Sequence, residues 1–266
     1  MANSLYPKAR KRFGQNFLQD ESIISAIVEA ISPDQAHLVE IGPGRGALTE
    51  PLLQRCSKLD VVELDRDLIP LLAKQFASFP QLTLHQADAL KFDFASLRQG
   101  DEKLRVIGNL PYNISTPLLF HLLSYGELIE DMCFMLQREV VERICAQPGS
   151  KQYGRLSIMM QHQCATEMLF LVPAEAFDPA PKVESAIVYL QPLQQRRGGE
   201  VNIAVLNKVV TQAFSQRRKT IANTLKNIVT SEELEAVGID VSQRPESLSV
   251  DAFVALAMYI SQRKQI

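Results

Sequence analysis

Short apolar segments alternate with amphipathic segments over most of the chain. Isoleucines recur at helical spacing after Ser22, which predicts a helix over residues 23–31. Short apolar runs bounded by turn-forming residues predict buried strands. The predicted strands are residues 37–41, 59–64, 82–85, 104–107, 132–136, 167–172 and 186–190, and the helices between them are 68–76, 117–123 and 140–145. This alternation predicts an α/β fold, with a helix-covered parallel sheet that binds ligands at the carboxyl ends of its strands.

The pattern changes after residue 190. Residues 191–200 (QPLQQRRGGE) contain proline, two glycines and few core residues, which predicts a linker. The chain beyond it has helical periodicity throughout, over residues 203–214, 220–228 and 250–260, with a further helix beginning at Ser231. We therefore predict two domains, residues 1–192 and 200–266.

A glycine-rich turn follows the first predicted strand and leads to a predicted helix start, within HLVEIGPGRGALT at residues 37–49. Gly42, Gly44 and Gly46 let the backbone turn sharply and approach a ligand that a Cβ atom would exclude. The spacing of Gly42, Gly44 and Ala47 fits the dinucleotide fingerprint G-x-G-x-x-G/A. The turn therefore predicts a nucleotide-type site, but it does not separate a nicotinamide site from an S-adenosylmethionine site.

Two acidic residues end the next predicted strands. Glu63 lies 21 residues after Gly42 and could accept hydrogen bonds from both ribose hydroxyls of an adenosyl group. Asp65 and Asp67 are nearby alternatives for this role. Asp88, at the end of the third strand, could accept from the exocyclic amine of an adenine. A single acid here would more often be a loop charge, but two at consecutive strand ends favour an adenosyl cofactor.

The segment GNLPYNIST at residues 108–116 follows the fourth strand. An exocyclic adenine nitrogen is a poor nucleophile because its lone pair is delocalised into the ring. The side chain of Asn109 and the carbonyl of Leu110 could hold it as hydrogen-bond acceptors, while Pro111 stiffens the turn. Tyr112 offers a ring on which a flipped base can stack. Taken alone, NLPY would be an ordinary proline-containing turn.

Charge is unevenly distributed in this chain of 266 residues, whose net charge is only −2. Residues 1–19 and 201–230 contain cations and no acid, so the rest of the chain is strongly acidic. The cations are Lys8, Arg10, Lys11 and Arg12 in the first segment and Lys208, Arg217, Arg218, Lys219 and Lys226 in the second. A charge run is usually a solvated surface, but two acid-free segments in an acidic chain favour a surface that binds a polyanion.

The cysteines, histidines and apolar runs argue against several classes of protein. The four cysteines form no CxxC pair and the four histidines are scattered, so we predict reduced thiols and no metal. No apolar run is long enough to span a membrane, and the basic N-terminus is followed by polar residues. We therefore predict a soluble cytoplasmic protein; a transit peptide is the alternative for the N-terminal segment.

Nine segments, in this order, resemble the small-subunit (16S) ribosomal RNA adenine N6,N6-dimethyltransferases, relatives of the erythromycin-resistance ribosomal methylases. They are KRFGQNFL at 11–18, EIGPGRGALT at 40–49, VELD at 62–65, DAL at 88–90, NLPYNIST at 109–116, LQREVVERI at 136–144, YGRLS at 153–157, PKVES at 181–185 and QRRKT at 216–220. The resemblance implies a class I (Rossmann-like) S-adenosylmethionine-dependent methyltransferase sheet, followed by a small all-helical C-terminal domain that binds RNA.

The resemblance also implies roles for individual residues. The residues expected to bind S-adenosylmethionine are Asn16, Leu18, Gly42, Gly44, Glu63, Asp88 and Asn109, with GQNFL acting as a lid. Those expected to handle the target adenine are Asn109, Leu110, Tyr112 and Phe177. The acid-free segments described above, in contrast, supply the residues expected to bind RNA, which are Arg10, Lys11, Arg12, Arg217, Arg218 and Lys219. Ala180 departs from the family pattern, which usually has a proline there, so the stiffness of the loop carrying Phe177 is in question.

The implied reaction is four methyl transfers to N6 of two adjacent adenines in a hairpin loop near the 3′ end of 16S ribosomal RNA, within the small subunit or its precursor. The implied enzyme is a cytoplasmic monomer that needs no metal and contributes to subunit biogenesis. Two alternatives stay open from the residues: a nicotinamide-dependent oxidoreductase, and a non-catalytic RNA-binding assembly factor.

Overall fold

The computed structural model describes residues 16–111, 114–216 and 218–263. The chain forms two compact units, one of Met1–Val141 with Glu167–Pro192 and the other of Glu142–Thr166 with Leu193–Ile266. The second unit thus contains Glu142–Thr166 as well as the chain after Pro192. The domain boundaries proposed above, 1–192 and 200–266, stay a prediction.

A seven-stranded sheet forms the centre of the fold, with strand order β4-β3-β2-β5-β6-β9-β7. The strands in the described residues are β1 Phe17–Leu18, β2 His37–Ile41, β3 Lys58–Glu63, β4 Leu82–Gln86, β5 Leu104–Asn109, β6 Ile129–Gln137, β7 Cys164–Val172, β8 Phe177–Asp178 and β9 Ser185–Pro192. The neighbours from β4 to β6 pair in parallel. Their carboxyl ends therefore meet at one edge, as the strand and helix alternation predicts.

The prediction of a parallel sheet is wrong at β9, which pairs antiparallel with β6. Residues 186–188 and 190 of β9 are buried, as in the parallel strands. A buried strand has the same apolar pattern in either direction, so the sequence does not reveal strand direction. Direction depends on the connections, because a parallel neighbour needs a crossover and an antiparallel one does not.

Ten α-helices lie in the described residues, and one of them was not predicted. They are α1 Glu21–Ile31, α2 Thr49–Leu53, α3 Ile69–Gln75, α4 Ser115–Leu123, α5 Arg138–Cys145, α6 Arg155–Gln161, α7 Ile203–Ala213, α8 Ile221–Leu225, α9 Ser231–Ala236 and α10 Val250–Arg263. Helix α2 begins at Thr49, where the sequence predicts a helix start after the glycine turn. The unpredicted helix is α6, which has seven residues, too few to show a helical period. The helix predicted over 220–228 is shorter, since α8 ends at Leu225.

Helix α1 is capped at both ends by side chains that were not recognised in the sequence. Asp20 accepts hydrogen bonds from the backbone N–H groups of Ser22 and Ile23, at 2.9 and 3.2 Å, an arrangement typical of a helix start. At the other end, Arg105 of β5 donates to the carbonyls of Ile31 and Ser32. These bonds attach the C-terminal end of α1 to the sheet.

The second unit is helical after Pro192, and buried apolar side chains of α7 and α10, including Leu206, Val210 and Phe253, form its core. The side chain of Thr230 accepts from the N–H of Glu233, whose carboxylate accepts from the N–H of Thr230. This reciprocal capping explains why α9 starts at Ser231, as predicted. The segment predicted as a linker is also bonded within this unit, since the N–H of Arg197 donates to the carbonyl of His162.

Candidate active site

The glycine turn joins β2 to α2 and has the left-handed backbone that its sequence predicts. Gly42 and Gly44 have φ angles of 67° and 59°, a region in which a side chain is strained. A Cβ atom on Gly44 would lie 3.0 Å from the ring of Phe17. Glycine at this position therefore lets β1 lie directly against the turn.

A cavity of about 490 Å³ lies at the carboxyl ends of β2, β3 and β5, next to the glycine turn. The seven residues predicted to bind cofactor all line it: Asn16, Leu18, Gly42, Gly44, Glu63, Asp88 and Asn109. Leu110 lines it as well. The structure thus brings together residues that are up to 94 positions apart. Their roles towards a cofactor stay a prediction.

The cavity is also lined by residues that were not predicted as site residues, among them Glu40, Phe17, Arg45 and Leu64. Leu64 is 52% exposed, so its apolar surface is accessible to a ligand in the cavity. Arg45 and Phe17 are adjacent to residues that were singled out. Their place in the sequence could have identified Arg45 and Phe17, because side chains next to ligand-binding residues often reach the same ligand.

Glu63 is almost fully buried at the end of β3, and it lines the cavity, whereas the alternative acids Asp65 and Asp67 are not among the described lining residues. Burial raises the pKa of Glu63, while hydrogen bonds from the backbone of Asp65 and Gly44 oppose this rise. The Asp65 N–H lies 2.7 Å from a Glu63 carboxylate oxygen. The carboxylate is thereby oriented, as a group that accepts hydroxyl hydrogens must be.

Glu40, one residue before the end of β2, is a second buried acid that lines this cavity. Thr49 donates a 2.6 Å hydrogen bond to its carboxylate. Burial raises the pKa of Glu40 to about 7; the hydrogen bond from Thr49 opposes the rise and the charge of Glu63 adds to it. A fraction of Glu40 is therefore protonated at neutral pH, which reduces the repulsion between these two acids.

The raised pKa of Glu40 predicts a pH-dependent stability that a neutral substitute removes. Because the pKa in the folded state exceeds the ordinary value of 4.5, the folded protein holds a proton that the unfolded chain releases. The contribution of Glu40 to stability therefore declines as pH rises from about 4.5 to 7, by up to about 3 kcal/mol. We expect Glu40→Gln to melt at a higher temperature than the wild type at pH 8, and to lose that advantage at pH 5.

Thermal melts from pH 5 to pH 8 measure this effect. Glu50→Gln is the matched control, because Glu50 is exposed on α2 and its substitution should change the melting temperature little at any pH. A constant difference between Glu40→Gln and the wild type across this range would contradict the assignment of the pH dependence to Glu40.

Asn109 and Leu110 lie where β5 reaches the cavity. The side-chain nitrogen of Asn109 donates to the backbone carbonyl of Asn16 at 3.2 Å, which leaves its side-chain oxygen as the acceptor. A Cβ atom on Gly108 would lie 2.4 Å from the carbonyl oxygen of Ile41. Glycine at 108 is thus needed for β5 to approach β2 and place Asn109 beside the glycine turn. Tyr112 lies outside the described residues.

Phe177 lies in β8, which pairs antiparallel with β1 so that Leu18 is opposite Phe177 and Phe17 is opposite Asp178. The ring of Phe177 belongs to the core of the first unit and Phe177 is 5% exposed. It is not among the described residues that line the cavity. Its predicted stacking on a base therefore requires a rearrangement of β8.

The predicted RNA-binding cations are only partly described. Arg218 and Lys219 are exposed in the loop between α7 and α8, and Lys208 and Lys226 are exposed nearby in sequence. Arg10, Lys11, Arg12 and Arg217 lie outside the described residues. The second unit therefore presents exposed cations from the acid-free segment, as its composition predicts.

The described residues contain no membrane-spanning helix and no cluster of metal-binding side chains. None of the helices there has both the length and the apolar character needed to cross a membrane. No group of three or more His, Cys, Asp or Glu side chains is arranged to hold a metal ion in that part of the chain.

Comparisons with known proteins identify similar chains along almost the whole length. The family model described as "Ribosomal RNA adenine dimethylase" matches residues 6–262. The "Ribosomal RNA small subunit methyltransferase A" of Saccharophagus degradans is 57% identical over 251 residues, 94% of each chain. The protein of the same name from Pseudomonas aeruginosa is 55% identical over 256 residues, 96% of each chain.

Two solved structures share the fold. A dimethyladenosine transferase from Plasmodium falciparum superposes with a TM-score of 0.78 at 26% identity, over 93% of this chain and 98% of that one. The 23S rRNA methyltransferase ErmE superposes with a TM-score of 0.73 at 23% identity, over 93% of this chain and 100% of that one. The second likeness is evidence for the fold alone.

Proposed function

The chain belongs to the ribosomal RNA adenine dimethylase family, and we propose that it dimethylates N6 of two adjacent adenosines in a hairpin loop near the 3′ end of 16S ribosomal RNA. It is a ribosomal RNA methyltransferase and its cofactor is S-adenosylmethionine. The two alternatives, a nicotinamide oxidoreductase and a non-catalytic assembly factor, do not agree with this family and are set aside.

The observation that carries the proposal is the position of Asn109 and Leu110 on the wall of the cavity that Glu63, Asp88 and the glycine turn also line. Glu63, Asp88 and the glycine turn suit an adenosyl cofactor. Asn109 and Leu110 suit the exocyclic amine of the target adenine. Their presence around one cavity would place the two reactants side by side, and such alignment supplies a large part of the rate of a group transfer.

The residues present fit the cofactor. Gly44 provides backbone where a side chain would collide with Phe17, so the turn can lie close to a ligand. The buried carboxylate of Glu63 suits ribose hydroxyls, because a donor from the ligand would compensate the cost of burying its charge. Asp88, whose carboxylate accepts from the N–H of Leu90 at 3.0 Å, is oriented to accept from an adenine amine.

S-adenosylmethionine supplies the electrophilic methyl group on its sulfonium. The task of the protein is to hold the adenine nitrogen and to favour a tetrahedral arrangement around it. The side-chain oxygen of Asn109 and the carbonyl of Leu110 are the acceptors proposed for this, and Tyr112 and Phe177 are proposed to stack on the flipped base. No dedicated base is required, because the methylated nitrogen is acidic enough to release its proton to water.

We also propose which particle the enzyme recognises, where it acts, its oligomeric state and its metal requirement. The substrate is the small subunit or its precursor, and the exposed cations of the second unit support contact with its phosphates. Because such particles are assembled in the cytoplasm, the protein acts there. We further propose a monomer that uses no metal, with a role in subunit biogenesis.

The test is incubation with radiolabelled S-adenosylmethionine and small-subunit particles that lack the modification, followed by nucleoside analysis. The expected product is N6,N6-dimethyladenosine, with four methyl groups transferred per particle. Label in any other nucleoside, or the same label on large-subunit particles, would overturn the proposed specificity. An absence of label with active cofactor and intact particles would overturn the proposed reaction.

A second prediction concerns the cations of the C-terminal unit. Replacing Arg217, Arg218 and Lys219 with alanine should weaken binding to the particle, because each phosphate contact releases counterions. The slope of log affinity against log salt should become shallower by up to about three if all three side chains touch phosphate. A salt titration of particle affinity measures this slope.

The matched control removes three exposed cations of the first unit, Lys74, Arg98 and Lys103. It changes the net charge equally and should leave the salt slope close to that of the wild type. Cofactor affinity should be retained in both triple variants, which also verifies folding. If both variants changed the slope equally, only overall charge would matter and the proposed RNA surface would be wrong.

A further inference from the structure

The strand that lines the cofactor cavity and the strand that carries Phe177 form one two-stranded sheet. In β1, both Phe17 and Leu18 line the cavity, while β8 consists of Phe177 and Asp178. The N–H of Gln19, just after β1, donates to the carbonyl of Ala176, just before β8, at 2.8 Å. A displacement of β1 therefore displaces the residue proposed to hold the target base.

Arg45, from the glycine turn, contacts both strands of this pair. Its guanidinium carbon lies 4.2 Å from the centroid of the Phe17 ring. Its Nη1 atom lies 3.8 Å from the carboxylate of Asp178, which is the register partner of Phe17. The Arg45 side chain is 24% exposed and that of Asp178 is 61% exposed. A single side chain thus links the turn, β1 and β8.

These contacts are individually weak. An ion pair with an exposed carboxylate contributes little to stability, and a guanidinium over an aromatic ring contributes modestly at a partly exposed site. These two contacts of Arg45 therefore contribute little to stability. Weak contacts that join two functional elements are, in contrast, well suited to transmit a small coupling between them.

We infer that Arg45 is a positioning residue that couples the cofactor cavity to the target-base loop. A ligand seated against Gly42 and Gly44 restrains the turn and therefore the side chain of Arg45. Through Phe17 and Asp178, Arg45 then transmits the position of the turn to β1 and β8, so that the rearrangement of β8 that exposes Phe177 depends on whether the cavity is occupied. This inference rests on the proposed function, because it takes the cavity as the cofactor site and β8 as part of the base site.

Coupling of this kind is reciprocal: if the cofactor favours the RNA-binding arrangement, RNA must raise cofactor affinity by the same factor. The weak contacts of Arg45 correspond to a coupling factor of roughly five to ten, at the lower end of typical couplings. Binding of either substrate is thus expected to increase the affinity of the protein for the other.

The test measures the dissociation constant of S-adenosylhomocysteine, which permits no turnover, with and without saturating unmodified small-subunit particles. Equilibrium dialysis with radiolabelled ligand gives both values and their ratio. For the wild type we expect binding roughly five- to tenfold tighter with particles present. For Arg45→Met, which keeps an unbranched side chain without the charge, the ratio should fall to within about twofold of one.

Three further variants separate positioning from simple loss of structure. Arg45→Lys keeps a cation over Phe17 and should restore part of the ratio. Asp178→Asn, at an exposed carboxylate that folding tolerates, should lower the ratio even if Arg45→Met unfolds. Arg98→Met is the matched control, because Arg98 pairs with exposed Asp101 at 3.4 Å, and it should keep the wild-type ratio.

A wild-type ratio of one, or an unchanged ratio in both Arg45→Met and Asp178→Asn, would overturn the inference. Equal weakening of both dissociation constants in these variants would do so too, since it would indicate a structural role alone. Failure of the proposed function is distinct, because it would appear as absent methyl transfer by the wild type to the same particles.

Discussion

Asn109→Ala should slow methyl transfer roughly ten- to hundredfold or more at saturating cofactor and particle. The side-chain oxygen of Asn109 is proposed to accept from the adenine amine, and this bond matters more as the nitrogen becomes tetrahedral than in the ground state. Its loss should cost about 1 to 3 kcal/mol of transition-state stabilisation, or more. The alanine also removes the hydrogen bond to the Asn16 carbonyl, which holds the end of β1 near the cavity.

Single-turnover rates of methyl transfer to unmodified particles measure this effect. Asn223→Ala is the matched control, because the Asn223 side chain makes a comparable 2.9 Å hydrogen bond, to Thr220 of the second unit. It should transfer methyl groups at close to the wild-type rate. A near-normal rate for Asn109→Ala under saturating conditions would remove Asn109 from the reacting centre and leave it as part of the cavity wall.

Of the stability changes predicted here, that of Asp60→Ala should be the largest, with the free energy of unfolding lower by about 3 to 5 kcal/mol. Asp60 is 1% exposed in the middle of β3. Its carboxylate lies 2.6 Å from Nε2 of His37, 2.7 Å from Nε2 of His85 and 3.0 Å from Nζ of Lys58. Burial alone would raise the pKa of Asp60, but the hydrogen bonds from these three side chains outweigh it and hold the pKa well below its usual range.

The alanine leaves buried His37 and the partly buried Lys58 without their carboxylate. Removing one partner of a buried pair is strongly destabilising, because the other polar group stays buried without compensation. For a protein of this size, the melting temperature should fall by roughly 10 °C. Because the pKa of Asp60 is lowered on folding, its stabilisation is fully present above the usual aspartate pKa and is lost only as pH falls below it. The full difference in melting temperature between Asp60→Ala and the wild type should therefore be measurable at neutral pH.

Thermal melts of Asp60→Ala and Asp34→Ala make the comparison. Asp34 forms a 2.6 Å ion pair with Arg55 but its side chain is 62% exposed, so its loss should cost less than about 1 kcal/mol. Equal shifts in the two variants would contradict the buried-network account. Affinity for S-adenosylhomocysteine should be retained in Asp60→Ala where it is folded, because the described lining of the cavity does not include Asp60.

Much of the candidate site could be predicted because its signals are local. Glycine at 42 and 44, an acid at the end of β3 and NLPY at the end of β5 each have meaning within a few residues. Once the strands are taken as parallel, their carboxyl ends must share one edge of the sheet. The position of Glu63, Asp88 and Asn109 around one cavity follows from this geometry, and the structure places them there.

What could not be predicted depends on residues distant in sequence. The network of Asp60 joins residues 23 and 25 positions away, and none of the three sequence segments shows an unusual pattern. The pairing of β1 with β8 joins strands of two residues each, too short for any periodicity. The direction of β9 and the short helix α6 are further examples.

The sequence by itself thus determined the order of the elements, the glycine turn and the polar residues at the strand ends, because these depend on backbone preference and on periods of two or 3.6 residues. Only the tertiary structure decided which buried charges meet at Asp60, how Arg45 contacts Phe17 and Asp178, and that the Phe177 ring is buried. The physical reason is that such contacts arise from packing between elements, and the apolar pattern that drives packing specifies burial without specifying the partner.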